Sequence, residues 1–196
     1  IHVDHLVIWH LINSQEMQRL RRVKQLGGTY QVFQSAEHSR FVHSLGVYQV
    51  VRRMLETECL DNELNDYDKL CVMCAGLLHD IGHGPFSHSF EGVFKEDHEN
   101  ITVRMILEDS EVHNILITVH EDLPTDIAAI IQHTHKNQIL IQMVSSQLDA
   151  DRMDYLLRDS YMTGTTYGQF DMSRILRTMR ICDGKIVYKE SGVQAI

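Results

Sequence analysis

The stretch Leu77-Leu78-His79-Asp80-Ile81-Gly82-His83-Gly84-Pro85-Phe86-Ser87-His88 concentrates the side chains best suited to chemistry. An imidazole and a carboxylate stand together in His79-Asp80. They follow an apolar run of helical period formed by Leu70, Met73, Cys74, Leu77 and Leu78. Two such groups at a helix end can turn toward one cation, and the glycines after them let the backbone bend sharply past it. His83 and His88 follow inside that bend. A lone His-Asp pair carries little weight. Four ligand-type side chains among small and apolar residues, beside a buried helix, are a far more specific signal.

Two other segments offer ligands. His43 lies in a predicted helix over residues 37–58, where Leu45, Tyr48, Val51 and Leu55 recur at helical spacing. Asp151 shares a stripe with Val144, Leu148 and Tyr155 in a helical stretch over 139–160, broken near Asp149. A carboxylate on an apolar stripe must be paired, protonated or metal-bound; a local cap at the break is the plainer reading. His43, His79, Asp80 and Asp151 together would present two imidazole nitrogens and two carboxylates. Such a set suits a single borderline or hard divalent cation (Mn, Fe, Zn, Ni or Mg) rather than a thiolate-selected one. It also leaves coordination positions open, as a catalytic site requires.

The elements that must position these groups are mainly helical. Asn13-Ser14-Gln15-Glu16 reads as a helix start, with Asn13 as cap and Glu16 closing the pair. The helix is expected over 17–26, stopped by Gly27-Gly28. After the helix that ends at His79-Asp80, short helices are expected around 88–94, 98–108, 111–119 and 125–133. Residues 180–188 read as a β-hairpin turning at Asp183-Gly184. The fold class is therefore mainly α with one late hairpin. Residues 1–196 form one domain core, expected to be a fragment of a longer chain because it opens on Ile1 and closes as a further helix begins.

Composition narrows the function. The net charge is −9 over 196 residues, which argues against general nucleic-acid binding. Residues 14–53 nevertheless hold seven Lys and Arg against two Asp and Glu, a local +5 in an acidic chain. Either a small polyanion binds there or the helix face is simply solvated. No run of about 18 apolar residues is present, so no membrane span is expected. The four cysteines suggest no disulfide framework, and Cys71 and Cys74 read as small core residues of one helix. A reducing cytoplasm is the default; a nuclear setting stays open.

Four blocks resemble the HD-domain metal phosphohydrolases, and within them the branch that cleaves deoxynucleoside triphosphates. Ser39-Arg40-Phe41-Val42-His43-Ser44-Leu45-Gly46 is similar to the first metal-ligand motif, and Leu78 to His88 matches the second nearly residue for residue. Asp151-Arg152-Met153-Asp154-Tyr155 with Asp159 resembles the last metal-ligand helix. Arg19-Leu20-Arg21-Arg22-Val23-Lys24-Gln25-Leu26-Gly27 resembles the N-terminal substrate segment.

The resemblance implies an HD-domain helical bundle and metal-dependent hydrolysis of deoxynucleoside triphosphates to deoxynucleoside and tripolyphosphate. A metal-activated water would attack the α-phosphorus. His43, His79, Asp80 and Asp151 would hold the metal. His83, His88 and His98 would face the phosphates, with Glu99 orienting a histidine and His88, or else His98, as the acid for the leaving 5′-oxygen. Arg40 and Arg152 would neutralise phosphate oxygens, although the family usually has Lys where Arg152 stands. Gln25 and Asp159 would bind the sugar 3′-hydroxyl, and Leu26 and Tyr155 would leave no room for a 2′-hydroxyl. Asn13, Gln18 and Arg21 stand where some relatives bind a regulatory nucleotide between subunits, which implies a homo-oligomer, a dimer or a tetramer. Asn13 replaces an Asp there and so weakens guanine recognition. His133 and His135 match no role and are expected to be solvent-exposed. The alternatives are another HD-type phosphodiesterase or nucleotidase, or a nucleotide-binding regulatory domain without turnover.

Overall fold

A computed structural model describes residues 1–86, 92–93 and 95–194. The chain runs through α1 (Leu6–Asn13), α2 (Gln15–Arg19), α3 (Arg40–Leu55), α4 (Glu58–Asp61), α5 (Asp66–Leu78), α6 (His98–Leu107) and α7 (Glu111–Ile117). It continues through α8 (Leu123–Ile131), α9 (Gln138–Val144), α10 (Ala150–Thr163) and α11 (Met172–Thr178). Strands β1 (Met179–Cys182) and β2 (Lys185–Tyr188) and the short α12 (Glu190–Val193) close it. The class is mainly α with a C-terminal hairpin. Among the described residues no helix is long and apolar enough to cross a membrane.

Helix α5 is the central element because α3, α8 and α9 all pack on it. That explains why its sequence is apolar on every side after the first turn: Cys71 to Leu78 are all buried, including both cysteines, which are free. Close approach of α3 depends on Gly76, where an added Cβ would lie 2.8 Å from Val51 Cγ2. Helix α10 packs on the same α3. α3 thus lies between the helix that precedes His79-Asp80 and the helix that carries Asp151.

Two caps set helix starts that matter below. Asp149 Oδ1 accepts the Arg152 N–H at 2.6 Å and Oδ2 accepts the Ser146 N–H at 2.5 Å, so the expected break is the N-cap of α10. The Asp97 carboxylate accepts the Glu99 N–H at 3.0 Å and starts α6. The hairpin turns at Asp183-Gly184, both at positive φ (50° and 70°), as a two-residue turn of this kind requires. It is tied to the bundle by the Ile186 N–H to Gln142 Oε1 (2.8 Å) and the Tyr188 hydroxyl to Leu148 O (2.9 Å).

The N-terminal expectations need correction. Asn13 is the last residue of α1, and its amide donates to Trp9 O at 2.8 Å. Ser14 caps α2 instead, and Glu16 Oε1 accepts the Glu111 N–H of α7 at 3.0 Å. The helix expected over 17–26 stops at Arg19, and a single 3₁₀ turn follows at Leu20–Arg22. The chain then becomes extended: Lys24 bridges Ser39, the Gln25 N–H donates to His38 O (3.0 Å), and the Arg40 N–H donates to Val23 O (2.8 Å). This pairing consumes residues 37–39, so α3 begins at Arg40 rather than at 37. The helix expected over 88–94 lies largely outside the described residues.

Gly82 follows the His79-Asp80 pair and packs under α6. A Cβ there would sit 2.2 Å from His98 O and 2.5 Å from Thr102 N, both backbone atoms. Gly82→Ala is expected to cost about 1–3 kcal/mol through overpacking. Gly28→Ala, where the added carbon meets nothing within 4 Å among the described residues, should stay within about 0.5 kcal/mol of wild type. Denaturant midpoints of the two variants check this, and equal midpoints would refute the tight packing under α6.

Candidate metal centre

His43 sits in the first turn of α3, His79 and Asp80 follow α5, and Asp151 is in the first turn of α10. Their polar atoms converge. His43 Nε2 lies 3.0 Å from Asp151 Oδ1 and 3.7 Å from Asp80 Oδ2. His79 Nε2 lies 3.7 Å from the same Asp151 oxygen and 3.5 Å from Asp80 Oδ1. One donor atom from each of His43, His79 and Asp151 falls within 4.8 Å of the others. Asp80 meets the same spacing with His83 and His98. It therefore stands at the border of two clusters, facing the first pair of histidines and, at 3.3 Å, His83 Nε2.

The imidazole tautomers follow from their outer partners. His79 Nδ1 is 2.9 Å from Gly76 O, and His43 Nδ1 is 2.8 Å from Asp154 Oδ2. Carbonyl and carboxylate oxygens only accept, so each Nδ1 carries a proton and each Nε2 is aimed at the cluster. His79 Nε2 is buried and has no hydrogen-bond partner among the described residues. Two oriented imidazole nitrogens, one of them orphaned, beside two carboxylates form a donor set that fits a divalent cation.

Electrostatics agree with that reading. Burial works against a charged His43, but hydrogen bonds to Asp151 and Asp154 and the nearby Asp80 outweigh it, raising its pKa to about 10. Burial also opposes ionisation of Asp80, yet His79 and Arg40 hold its carboxyl well below the usual range. Burial of His83 lowers its imidazole to about 4 despite contact with Asp80. The site gathers anionic side chains that attract positive charge from whatever source offers it.

Asp154 belongs to this arrangement although only its neighbours carry a sequence signal. It is buried, orients His43, and takes two hydrogen bonds from Arg158 at 2.8 and 2.7 Å. Room for its carboxylate comes from Gly46 on α3, where a Cβ would lie 1.9 Å from Asp154 Oδ1. Arg19 is a second unforeseen support. Its guanidinium donates to His83 O (2.8 Å) and Ile81 O (2.5 Å), holding the glycine-rich bend from the α2 side. Thr102 Oγ1 supports the opposite side, accepting the Gly82 N–H at 2.9 Å and donating to His79 O at 3.1 Å.

The expected phosphate residues are partly assembled around this centre. The His83 and His98 rings stack at 3.8 Å between centroids. His98 and Glu99 line a pocket of about 90 Å³ together with His79, Asp80, Asp151 and His133. Arg40 is buried, and its guanidinium donates to Asp80 Oδ2 at 2.5 Å. Arg152 lines a separate small apolar cavity with Leu148, Met153 and Phe170. His88 lies outside the described residues. The expectation that His133 and His135 are solvent-exposed holds for His133 only. His135 is buried, with Nδ1 accepting the Asn137 N–H at 3.1 Å, because it folds back under the end of α8.

The expected sugar residues are linked by His38, which sequence reading passed over. Its buried Nε2 lies 2.7 Å from Asp159 Oδ1, and its carbonyl accepts the Gln25 N–H. Leu26 is half-buried in the turn that follows. The next residue, Gly27, is at φ 56° with its open side 3.8 Å from Phe86 Cα of the glycine-rich stretch. Tyr155 is half-buried one helical turn after Asp151. Gln18 and Arg21 touch one another, Arg21 Nε donating to Gln18 Oε1 at 2.7 Å, and Arg21 lies 3.8 Å over the Phe41 ring.

Comparison with known proteins agrees with the geometry. The HD domain family pattern matches residues 40–159, which include all four convergent candidate ligands. The chain is 54% identical to the Bacillus subtilis protein YwfO over its whole length, covering 46% of that protein. It is 34% identical to the zebrafish deoxynucleoside triphosphate triphosphohydrolase SAMHD1, over 94% of this chain and 36% of that one. A crystal structure of a phosphohydrolase from Bacteroides thetaiotaomicron superposes with a TM-score of 0.86 at 32% identity, covering this whole chain and 48% of that one. The chain thus spans about half the length, or less, of the relatives it matches. By pattern, by descent and by the site it builds, the chain belongs to the HD domain family.

Proposed function

We propose that this chain is the catalytic core of a metal-dependent phosphohydrolase that cleaves deoxynucleoside triphosphates to deoxynucleoside and tripolyphosphate. The observation that carries the reading is the convergence of His43, His79, Asp80 and Asp151 from separate segments, with both imidazoles oriented by outer partners. The similarity to SAMHD1 supports deoxynucleoside triphosphates as the substrate class.

Under this reading the four side chains hold one divalent ion (Mn, Fe, Zn, Ni or Mg). When bound, such an ion supplies Lewis acidity toward a phosphoryl group and a route to hydroxide near neutral pH. The protein's own groups do the rest. Asp154 and Gly76 O fix the two imidazoles, and Arg40 offsets the charge of Asp80. His83 and His98 face the phosphates, and Glu99 orients that group. His88, or else His98, protonates the 5′-oxygen as the P–O bond breaks. Arg152, whose apolar atoms line the small cavity beside Leu148 and Phe170, neutralises a phosphate oxygen. Asp159, anchored by His38, and Gln25 bind the 3′-hydroxyl, while Leu26 and Tyr155 exclude a 2′-hydroxyl. A regulatory nucleotide at Gln18, Arg21 and Asn13, and assembly into a dimer or tetramer, belong to the same proposal. Gln18 and Arg21 are neighbours joined by an exposed hydrogen bond, whereas Asn13 turns back onto its own helix.

Three outcomes follow. Asp80→Ala and Asp151→Ala should each lose bound metal and hydrolysis together, read by elemental analysis and product chromatography; near-normal turnover in either refutes the ligand assignment. Asp154→Asn should keep the fold but lower metal affinity about 10–100-fold, as loss of an outer partner does; unchanged affinity in a metal titration would remove its orienting role. With the full-length protein, deoxynucleotides should be hydrolysed in preference to ribonucleotides, releasing tripolyphosphate. Orthophosphate or a nucleoside monophosphate as product would replace this reading with another HD-type phosphodiesterase or nucleotidase.

A further inference from the structure

The pocket shared by His79, Asp80, Asp151, His98 and Glu99 is also walled by the ends of α8 and α9, and His133 stands on the α8 side. His133 is at φ 59°, the left-handed region. Its N–H bonds Ile130 O at 3.1 Å, and the next two N–H groups, of Thr134 and His135, both bond Ala129 O at 2.8 and 3.1 Å. This is a helix stop closed through a left-handed residue, a position where glycine is the usual occupant because a Cβ is disfavoured.

Three observations together point away from a merely structural histidine. The backbone conformation favours glycine, yet an imidazole is present. That imidazole makes no hydrogen bond or ion pair with any described residue. It is also carried on a fixed support, because His135 beyond it is buried and its Nδ1 accepts the Asn137 N–H. An exposed polar ring with no partner among the described residues, on a hydrogen-bonded helix end at the edge of a pocket lined by the candidate ligands, suits contact with something that enters the pocket.

We infer that His133 is a substrate-contacting residue, its imidazole N–H donating to a phosphate oxygen of a polyphosphate ester from the α8 wall. This deepens the phosphohydrolase reading and rests on it for the identity of the ester. The competing role is a helix-end histidine that interacts only with the carbonyls of α8.

His133→Gly separates the two, because glycine suits the backbone and removes only the ring. The full-length protein, His133→Gly and His133→Asn are compared for melting temperature, metal content, kcat/KM with a deoxynucleoside triphosphate, and calorimetric Kd for inorganic tripolyphosphate. The expected result for His133→Gly is an equal or higher melting temperature and unchanged metal content. Its kcat/KM and tripolyphosphate affinity should fall about 10–100-fold, the range for a hydrogen bond to a charged group. His133→Asn should recover part of the loss, since Asn tolerates this backbone region and keeps an N–H donor. Wild-type kcat/KM and tripolyphosphate affinity in His133→Gly overturn the inference, as does a lowered melting temperature with both unchanged. If the wild-type protein hydrolyses no deoxynucleotide, the phosphohydrolase reading fails by itself. The tripolyphosphate arm then decides His133 alone: an affinity that depends on the ring upholds the contact, and absent or ring-independent binding removes it.

Discussion

Burial of the His43 imidazole among carboxylates is the constraint on which the other features depend. The ring is 1% exposed, with Asp154 on one nitrogen and Asp151 and Asp80 near the other. An imidazole taken out of water loses stability for each nitrogen left without a partner. Three carboxylates brought this close must in turn be compensated. Arg40 answers Asp80 and Arg158 answers Asp154, whereas among the described residues Asp151 is paired with the two imidazoles. The helices therefore pack around a polar core that is stable only while each charge keeps its counterpart.

Helix packing in this region is shaped to allow that polar core. Gly46 leaves the volume that the Asp154 carboxylate occupies, Gly76 lets α3 come close to α5, and Gly82 admits the start of α6. In an ordinary apolar core such gaps would be filled by side chains. Here, at Gly46 and Gly82, they admit a carboxylate and a helix backbone. Arg19 and Thr102 then grip the bend after Asp80 from two sides, so a glycine-rich segment that could adopt many conformations is held in one.

Much of the candidate site was legible because its candidate ligands occur in short blocks with chemically unusual neighbours. His79-Asp80 announces itself as a polar pair after an apolar helix, and Asp151 as a charge on an apolar stripe. Asp154 and His38 were not legible, because their roles depend on which distant residues they meet. His38 lies in a polar stretch and becomes meaningful only once Asp159 returns to it. Fold errors have the same origin. Local pattern extended the helix after Ser14 as far as Leu26, whereas the chain leaves helical geometry to pair Lys24 with Ser39, a long-range interaction that outweighs propensity. His133 was passed over because nothing in its sequence context signals the left-handed conformation that presents it.

The span of these contacts along the chain orders events in time. His43 meets Asp154 across 111 residues, and His38 meets Asp159 across 121. During synthesis, α3 and α5 can associate once residue 78 has emerged, but the cluster stays open until α10 has been made and has docked against α3. Until then His43 has neither of its α10 partners, Asp151 and Asp154. The buried polar cluster is therefore completed late, by the docking of a single helix.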